Sequence, residues 1–278
     1  MEEQINSEKY NRLIEYLQKL EKVAVAFSGG VDSTFLLAAA RNALSANVTA
    51  FTVRSPYIPD WEINEAKQIA DKLAVKHIIF ETGLNDSILH NPDNRCYLCK
   101  RFIFTKLISE AGKLGINHVI EGTNCDDTKD FRPGIKALRE LGIISPLLEN
   151  NITKADIRNF SKLLNLPTWN KPAYACLLTR IPYNTEIKEE ELRRIENAEV
   201  FLMKLGFKGV RVRSHNNLAR IELNKTLLAD IFKNNVREKI VSKLKSIGFT
   251  YITIDIEGYR TGSMNEGDAL KKIGKKPE

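Results

Sequence analysis

The period of the apolar residues changes several times along the chain. In 7–20, "SEKYNRLIEYLQKL", Tyr10, Leu13, Ile14, Leu17 and Leu20 recur on one helical face. "KVAVAF" is a short apolar run ending at Ser28-Gly29-Gly30, after which "STFLLAAARNAL" returns to helical spacing. Apolar runs at 48–53, 76–81 and 117–122 read as strands. "WEINEAKQIADKLA", residues 102–114 and "IKALRELG" read as the helices among them. Strands alternating with amphipathic helices predict an α/β fold, a parallel sheet with helices on both faces. One more helix is expected over 153–166, with Thr153 as its N-cap.

Beyond residue 170 the pattern is different. A charge-laced helix at 188–207 precedes alternating strands at 210–214 and 218–223, joined by "HNN". A helix over 226–246 and a strand over 251–256 complete an α-β-β-α-β order, which predicts a small α+β domain. The expected boundaries are 1–172 for the first domain and 173–265 for the second, a substrate and oligomerisation domain, with 266–278 as a mobile tail.

Composition adds bounds. The 278 residues are 43% hydrophobic and 28% charged, ordinary for a globular protein. No apolar run is long enough to span a bilayer, and the polar start "MEEQINSEKY" is unlike a signal peptide. The expectation is a cytoplasmic protein, in which the pair Cys96/Cys99 is metal-binding or sulfur-handling rather than a disulfide. A net charge of +7 suits an anionic partner, though the basic residues are dispersed, which also suits a solvated lysine-rich surface.

The segment "AVAFSGGVDSTFLL" runs from an apolar strand through Ser28, Gly29, Gly30, Val31, Asp32 and Ser33 into a helix. Glycines admit close approach of a ligand, and the N–H groups of the helix start face outward at the positive end of its dipole. With the two serine hydroxyls this makes a nest for phosphate oxygens. Asp32 is either the helix cap or a Mg²⁺ ligand. The spacing is not that of a Walker A loop, and the third glycine of a dinucleotide site is missing. "SGGVDS" after the first strand resembles the PP-loop of the ATP pyrophosphatases. That resemblance implies adenylation of a substrate by ATP and release of pyrophosphate.

Three later stretches carry further chemistry. In "EGTNCDDTKDFRPG" (121–134), Asp126, Asp127 and Asp130 are candidate Mg²⁺ ligands and Arg132 a candidate for a phosphate or carboxylate. In "WNKPAYACLLTRIPYNTEI" (169–187), Arg180 and Lys171 near Cys176 would favour its thiolate; burial as a packing residue is the alternative. In "RVRSHNNLARIEL" (211–223), alternation places Arg211 and Arg213 on one face, suited to a phosphate or simply to an exposed basic strand.

With "RCYLCK", "TKADIR" and "DIEGYRTGSMN", these stretches resemble, across nearly the whole chain, the LarE family of ATP-dependent sulfur transferases in nickel-pincer cofactor synthesis. Three departures stand in "CLLTRIPYN": the family commonly reads C-L-A-S-R-I-P-Y-G, where this chain has Leu178, Thr179 and Asn184. The resemblance implies a pyridinium-dicarboxylate mononucleotide as substrate, adenylated on a carboxylate that becomes a thiocarboxylate. It implies ATP and Mg²⁺, with Asp32 and Asp127 for the metal. Val53, Arg54, Ser55, Thr123 and Asn124 would border the nucleotide. Arg132, Arg180, Arg211, Arg213 and Glu222 would receive the substrate. The family's sulfur donor falls on Cys176. Cys96, Cys99 and Cys176 fit the branch in which three cysteines hold a 4Fe–4S cluster whose fourth iron carries sulfide; the other branch sacrifices one cysteine. Cys125 reads as a bystander. The resemblance also implies a homo-oligomer, trimer or hexamer, with no membrane partner and no nucleic acid. Two rival readings are a tRNA thiolase and a nucleotide-binding protein stabilised by a Cys₄ zinc site.

Overall fold

The computed structural model describes residues 7–129 and 133–260. Asp130, Arg132, the motif end "TGSMN" and the tail expected at 266–278 lie outside the described residues. The chain divides into two compact units, Met1–Leu89 with Asp93–Ala173, and His90–Pro92 with Tyr174–Glu278.

The first unit holds α1 (Glu8–Gln18), β1 (Val23–Ala26), α2 (Val31–Leu44), β2 (Val48–Arg54), α3 (Asp60–Lys72), β3 (Lys76–Glu81), α4 (Arg95–Gly112), β4 (His118–Ile120), α5 (Pro133–Glu140), α6 (Pro146–Glu149) and α7 (Lys154–Leu163). Its sheet has the order β3-β2-β1-β4, and every pairing is parallel. Strand alternation divides β1 between two cores. Val23 and Val25 join Leu13, Leu17, Phe35, Ile157 and Phe160 on one face. Ala24 joins Phe104, Leu107, Ile116 and Leu138 on the other. Both faces are therefore covered, as a parallel sheet requires. Strand order reverses at β1, which has β2 on one side and β4 on the other. Ligands of such sheets bind beyond the strand C-termini at that point.

The second unit holds α8 (Glu189–Lys204), β5 (Arg211–His215), β6 (Leu218–Glu222), α9 (Val236–Ser246) and β7 (Tyr251–Ile254). β5 and β6 form an antiparallel hairpin, and β7 lies parallel to β6. Leu202, Phe207, Val212, Ile221, Leu244 and Phe249 form its own core. The single helix expected over 226–246 is broken. A 3-10 segment spans Lys225–Phe232 and ends where Lys233 turns to extended backbone; Asn234 follows at a left-handed φ of 49°, and α9 starts only after it. Three residues from far earlier complete the unit. Asn91, wholly buried at φ 50°, donates its side-chain amide to the carbonyls of Leu178, Ile181 and Pro182.

Candidate functional site

The glycine loop lies between β1 and α2, at the strand-order reversal. Gly29 has φ +68°, a conformation that strains any side chain, and a Cβ there would stand 3.1 Å from the Ala66 backbone of α3. Gly30 is the N-cap of α2 in extended backbone, so its need is for space and not for an unusual dihedral. The hydroxyls of Ser28 and Ser33 lie 3.1 Å apart, and the Ser28 N–H donates to Ser33 Oγ at 3.3 Å. The first-turn N–H groups of α2 have no acceptor within their own helix. They open on a cavity of about 350 Å³. Ser28, Gly30, Asp32, Ser33, Val53, Lys100, Glu121, Thr123 and Asp127 line it, with Phe51, Phe80, Ile103 and Phe104 as an apolar wall. This combination accommodates a flat apolar ring beside a polyanion.

Asp32 does not cap the helix, since Gly30 holds that position. Its carboxylate instead receives Lys154 Nζ on both oxygens, at 2.6 and 2.5 Å, and Asn124 Nδ2 at 3.4 Å. The loop after β4 is fixed by Glu121, which is buried. It accepts from the Thr123 N–H (3.0 Å), Thr123 Oγ1 (2.8 Å) and Ser145 Oγ (2.6 Å). Asp127 caps the same loop by accepting from the Asn124 N–H at 3.1 Å. Of the other expected nucleotide residues, Ser55 is buried, and Arg54 is exposed and reaches Glu81 at 3.5 Å. Lys171, expected to favour the Cys176 thiolate, is engaged differently. Its ammonium donates to the Gly29 carbonyl at 3.0 Å and to Glu65 at 2.8 Å, which ties the loop to α3.

Cys96 and Cys99 occupy the first two turns of α4, which begins seven residues before the expected helix. Three apart, they share a helical face. Cys96 is exposed; Cys99 is half-buried and lies 3.3 Å from the Tyr57 hydroxyl. The flanking basic residues do other work. Lys100 lines the cavity, Arg101 Nη1 donates to the Tyr97 hydroxyl, and Arg95 is buried. None of the four cysteines is in a disulfide. Among the described residues, no group of three His, Cys, Asp or Glu side chains is assembled to hold a metal ion.

In the second unit, Cys176 caps a 3-10 turn over Leu177–Arg180. Its carbonyl accepts from Thr179 Oγ1 at 2.9 Å, so the hydroxyl kept by threonine at this position is in use. The strand carrying Arg211 and Arg213 is not an exposed basic strand, because both side chains are buried. Arg213 meets Glu222 at 2.7 Å and the Thr179 carbonyl at 2.6 Å. Arg180 pairs with Glu199 through two bonds, at 2.8 and 3.1 Å. The Arg211 guanidinium lies over the rings of Tyr174 and Tyr259, 4.7 and 5.1 Å from their centroids. Burial, then the charge of Arg180, holds its pKa below the usual guanidinium value. Glu199 and Glu222 offset two of these three guanidinium charges inside the unit.

Sequence reasoning did not single out Lys154, Gly122 or Glu121. A Cβ on Gly122 would lie 3.2 Å from Asp32 Cβ and from the Ser33 nitrogen, so glycine there lets the β4 loop meet the α2 N-terminus. The signal for Lys154 was its place one residue after a good N-cap, which points a side chain out of a helix start.

Comparison with known proteins agrees with this site. A family model described as asparagine synthase matches residues 15–98, which include the glycine loop. A Lactiplantibacillus plantarum protein named pyridinium-3,5-bisthiocarboxylic acid mononucleotide synthase is 36% identical over 257 residues, covering 91% of this chain and 92% of that protein. An uncharacterised protein of Synechocystis sp. is 40% identical over 259 residues, 92% of this chain and 97% of its own length. Another, of Methanocaldococcus jannaschii, is 37% identical over 243 residues, 87% and 92%.

Proposed function

The chain belongs to the LarE family, and from that premise we propose that it is an ATP-dependent sulfur transferase of nickel-pincer cofactor synthesis. Its substrate is a pyridinium-dicarboxylate mononucleotide. A ring carboxylate oxygen attacks the α-phosphorus of ATP and pyrophosphate leaves. A sulfur nucleophile then attacks the activated carbonyl carbon, and AMP departs with the carboxylate oxygen, leaving a thiocarboxylate. The observation that carries this reading is the family match along 91% of the chain, joined to a glycine cradle that opens on an apolar-walled cavity.

In this reading the α2 N-terminus and the Ser28 and Ser33 hydroxyls bind phosphates, as donors aimed at a polyanion. Val53 and the apolar wall take the adenine, and Thr123 and Asn124 border the nucleotide. Asp32 and Asp127, oxygen donors on the cavity side, suit Mg²⁺, which prefers carboxylates and phosphate oxygens together. Arg180, Arg211, Arg213 and Glu222 belong to the substrate's end of the reaction. Cys96, Cys99 and Cys176 are the thiols that handle sulfur. As three cysteines outside any disulfide, none of them buried, they have the donor chemistry that a 4Fe–4S cluster requires. When bound, that cluster supplies an exchangeable sulfide at its unligated iron. The enzyme works as a homo-oligomer in the cytoplasm.

The test is incubation of anaerobically prepared protein with ATP, Mg²⁺, sulfide and the mononucleotide. Pyrophosphate release that depends on the mononucleotide, and a product with sulfur in place of oxygen, are expected. Cys96→Ala and Cys176→Ala should each keep pyrophosphate release and lose sulfur transfer. An active Cys96→Ala protein, with dehydroalanine at Cys176 by mass spectrometry, would replace the cluster with a sacrificed cysteine. Pyrophosphate release indifferent to the mononucleotide would remove the substrate assignment.

A further inference from the structure

Lys154 is the first residue of α7, and its backbone is held twice. Thr153 and Asp156 form a reciprocal capping box around it, and the Lys154 N–H donates to Asp126 Oδ2 at 2.8 Å. From that fixed base the side chain reaches across 122 residues of sequence and places its ammonium on both oxygens of Asp32. Asp32 and Asp127 line one cavity with the phosphate nest. Two carboxylates there repel an arriving polyanion unless they are neutralised. The Lys154 and Asp32 side chains remain 34% and 26% exposed, and an ion pair in contact with water exchanges partners readily. A divalent cation brings twice the charge to the same oxygens.

Resting on the nucleotide reading above, we propose that Lys154 is a positioning residue for adenylation: its ammonium holds and neutralises Asp32 until a divalent cation takes that carboxylate. Lys154 and the cation are thus competitors for one group, and the lysine keeps the nest receptive to phosphate in the cation's absence.

Mn²⁺ titrated into the nucleotide-free full-length protein, with free Mn²⁺ followed by electron paramagnetic resonance, reads this directly. Lys154→Met should bind Mn²⁺ about fivefold more tightly than the wild type, the scale set by an exposed ion pair. Lys154→Arg should bind like the wild type. The pair Lys154→Met with Asp32→Asn should lose the gain. In pyrophosphate release, Lys154→Met should raise the KM for ATP measured at low Mg²⁺ and recover at high Mg²⁺. Should Lys154→Met fold poorly, Lys154→Gln, which keeps a donor and drops the charge, takes its place with the same expectation. Unchanged or weaker Mn²⁺ binding in the uncharged variant overturns the proposal, as does a gain that survives removal of Asp32. A purely structural lysine would weaken binding on removal and could not strengthen it. Absence of mononucleotide-dependent pyrophosphate release in the wild type would strike at the function assigned above while leaving the Mn²⁺ result to stand or fall alone.

Discussion

At the scale of single residues, the two loop glycines are needed for different reasons. Gly29→Ala must pay for left-handed backbone, about 1 kcal/mol, and its methyl meets the α3 backbone at 3.1 Å. Gly30→Val leaves the backbone relaxed but sets a branched side chain beside Ser28 Oγ, 3.3 Å from its Cβ. The first variant should therefore lower both the melting temperature and ATP affinity. The second should abolish ATP binding while melting near the wild type, as calorimetry and nucleotide titration would show. Normal ATP binding by Gly30→Val would remove the loop from the nucleotide site. The chemistry of this loop was legible in the sequence because its parts are neighbours. Asn184 was legible too: its φ of 56° fits the glycine commonly found there in the family. Lys154 and Gly122 were not, because each acts on Asp32 from a remote segment, and only the folded sheet brings them to the α2 N-terminus.

At the scale of elements, α7 shows how a cap can serve a site. Thr153 Oγ1 accepts from the Asp156 N–H, and Asp156 accepts from the Thr153 N–H and from Lys9 Nζ at 2.7 Å. Despite the opposing effect of burial, the Lys9 and Thr153 hydrogen bonds hold the Asp156 carboxyl below its ordinary pKa. A depressed carboxyl contributes stability that is present above its unfolded pKa and lost as pH falls through its folded one. Thr153→Ala should cost about 1 kcal/mol at neutral pH and loosen Lys154 with it. Urea titrations should show that deficit shrinking below pH 4 as Asp156 protonates in the wild type; an equal deficit at all pH values would assign it to packing. The capping signal made this helix readable. The start of α4 was not: its N-cap Asn94 makes no side-chain cap hydrogen bond, and its first residues, Arg95 and Cys96, begin no apolar stripe. The break before α9 was hidden because Leu227, Leu228 and Ile231 repeat at spacings that 3-10 and α-helices share.

At the scale of the molecule, the two units are built on different economies of charge. The first buries apolar side chains on both sides of its sheet. The second sets Arg180, Arg211, Arg213, Glu199 and Glu222 among its buried groups. Glu222, fully buried, serves Arg213 and Arg220 at 2.7 and 3.1 Å. Glu222→Gln keeps the volume and removes the counter-charge, a change of about 3 kcal/mol where a buried pair is broken. Hydrogen exchange should then quicken through β5, β6 and β7, while ATP binding, assigned to the first unit, persists; unchanged protection would mean the arginines share other counter-charges. The α/β order and the α+β order were both readable from periodicity, yet the three residues His90–Pro92 were not, because nothing in a short loop announces which core will claim it. Those three residues also govern how the gene can be cut. A fragment beginning at Tyr174 carries every strand of the second sheet but lacks Asn91, and three carbonyls, two of them in buried contacts, are left without their shared donor. On the ribosome that donor emerges more than eighty residues before the acceptors it serves, so the smaller unit is complete only when the chain that carries Asn91 is made with it.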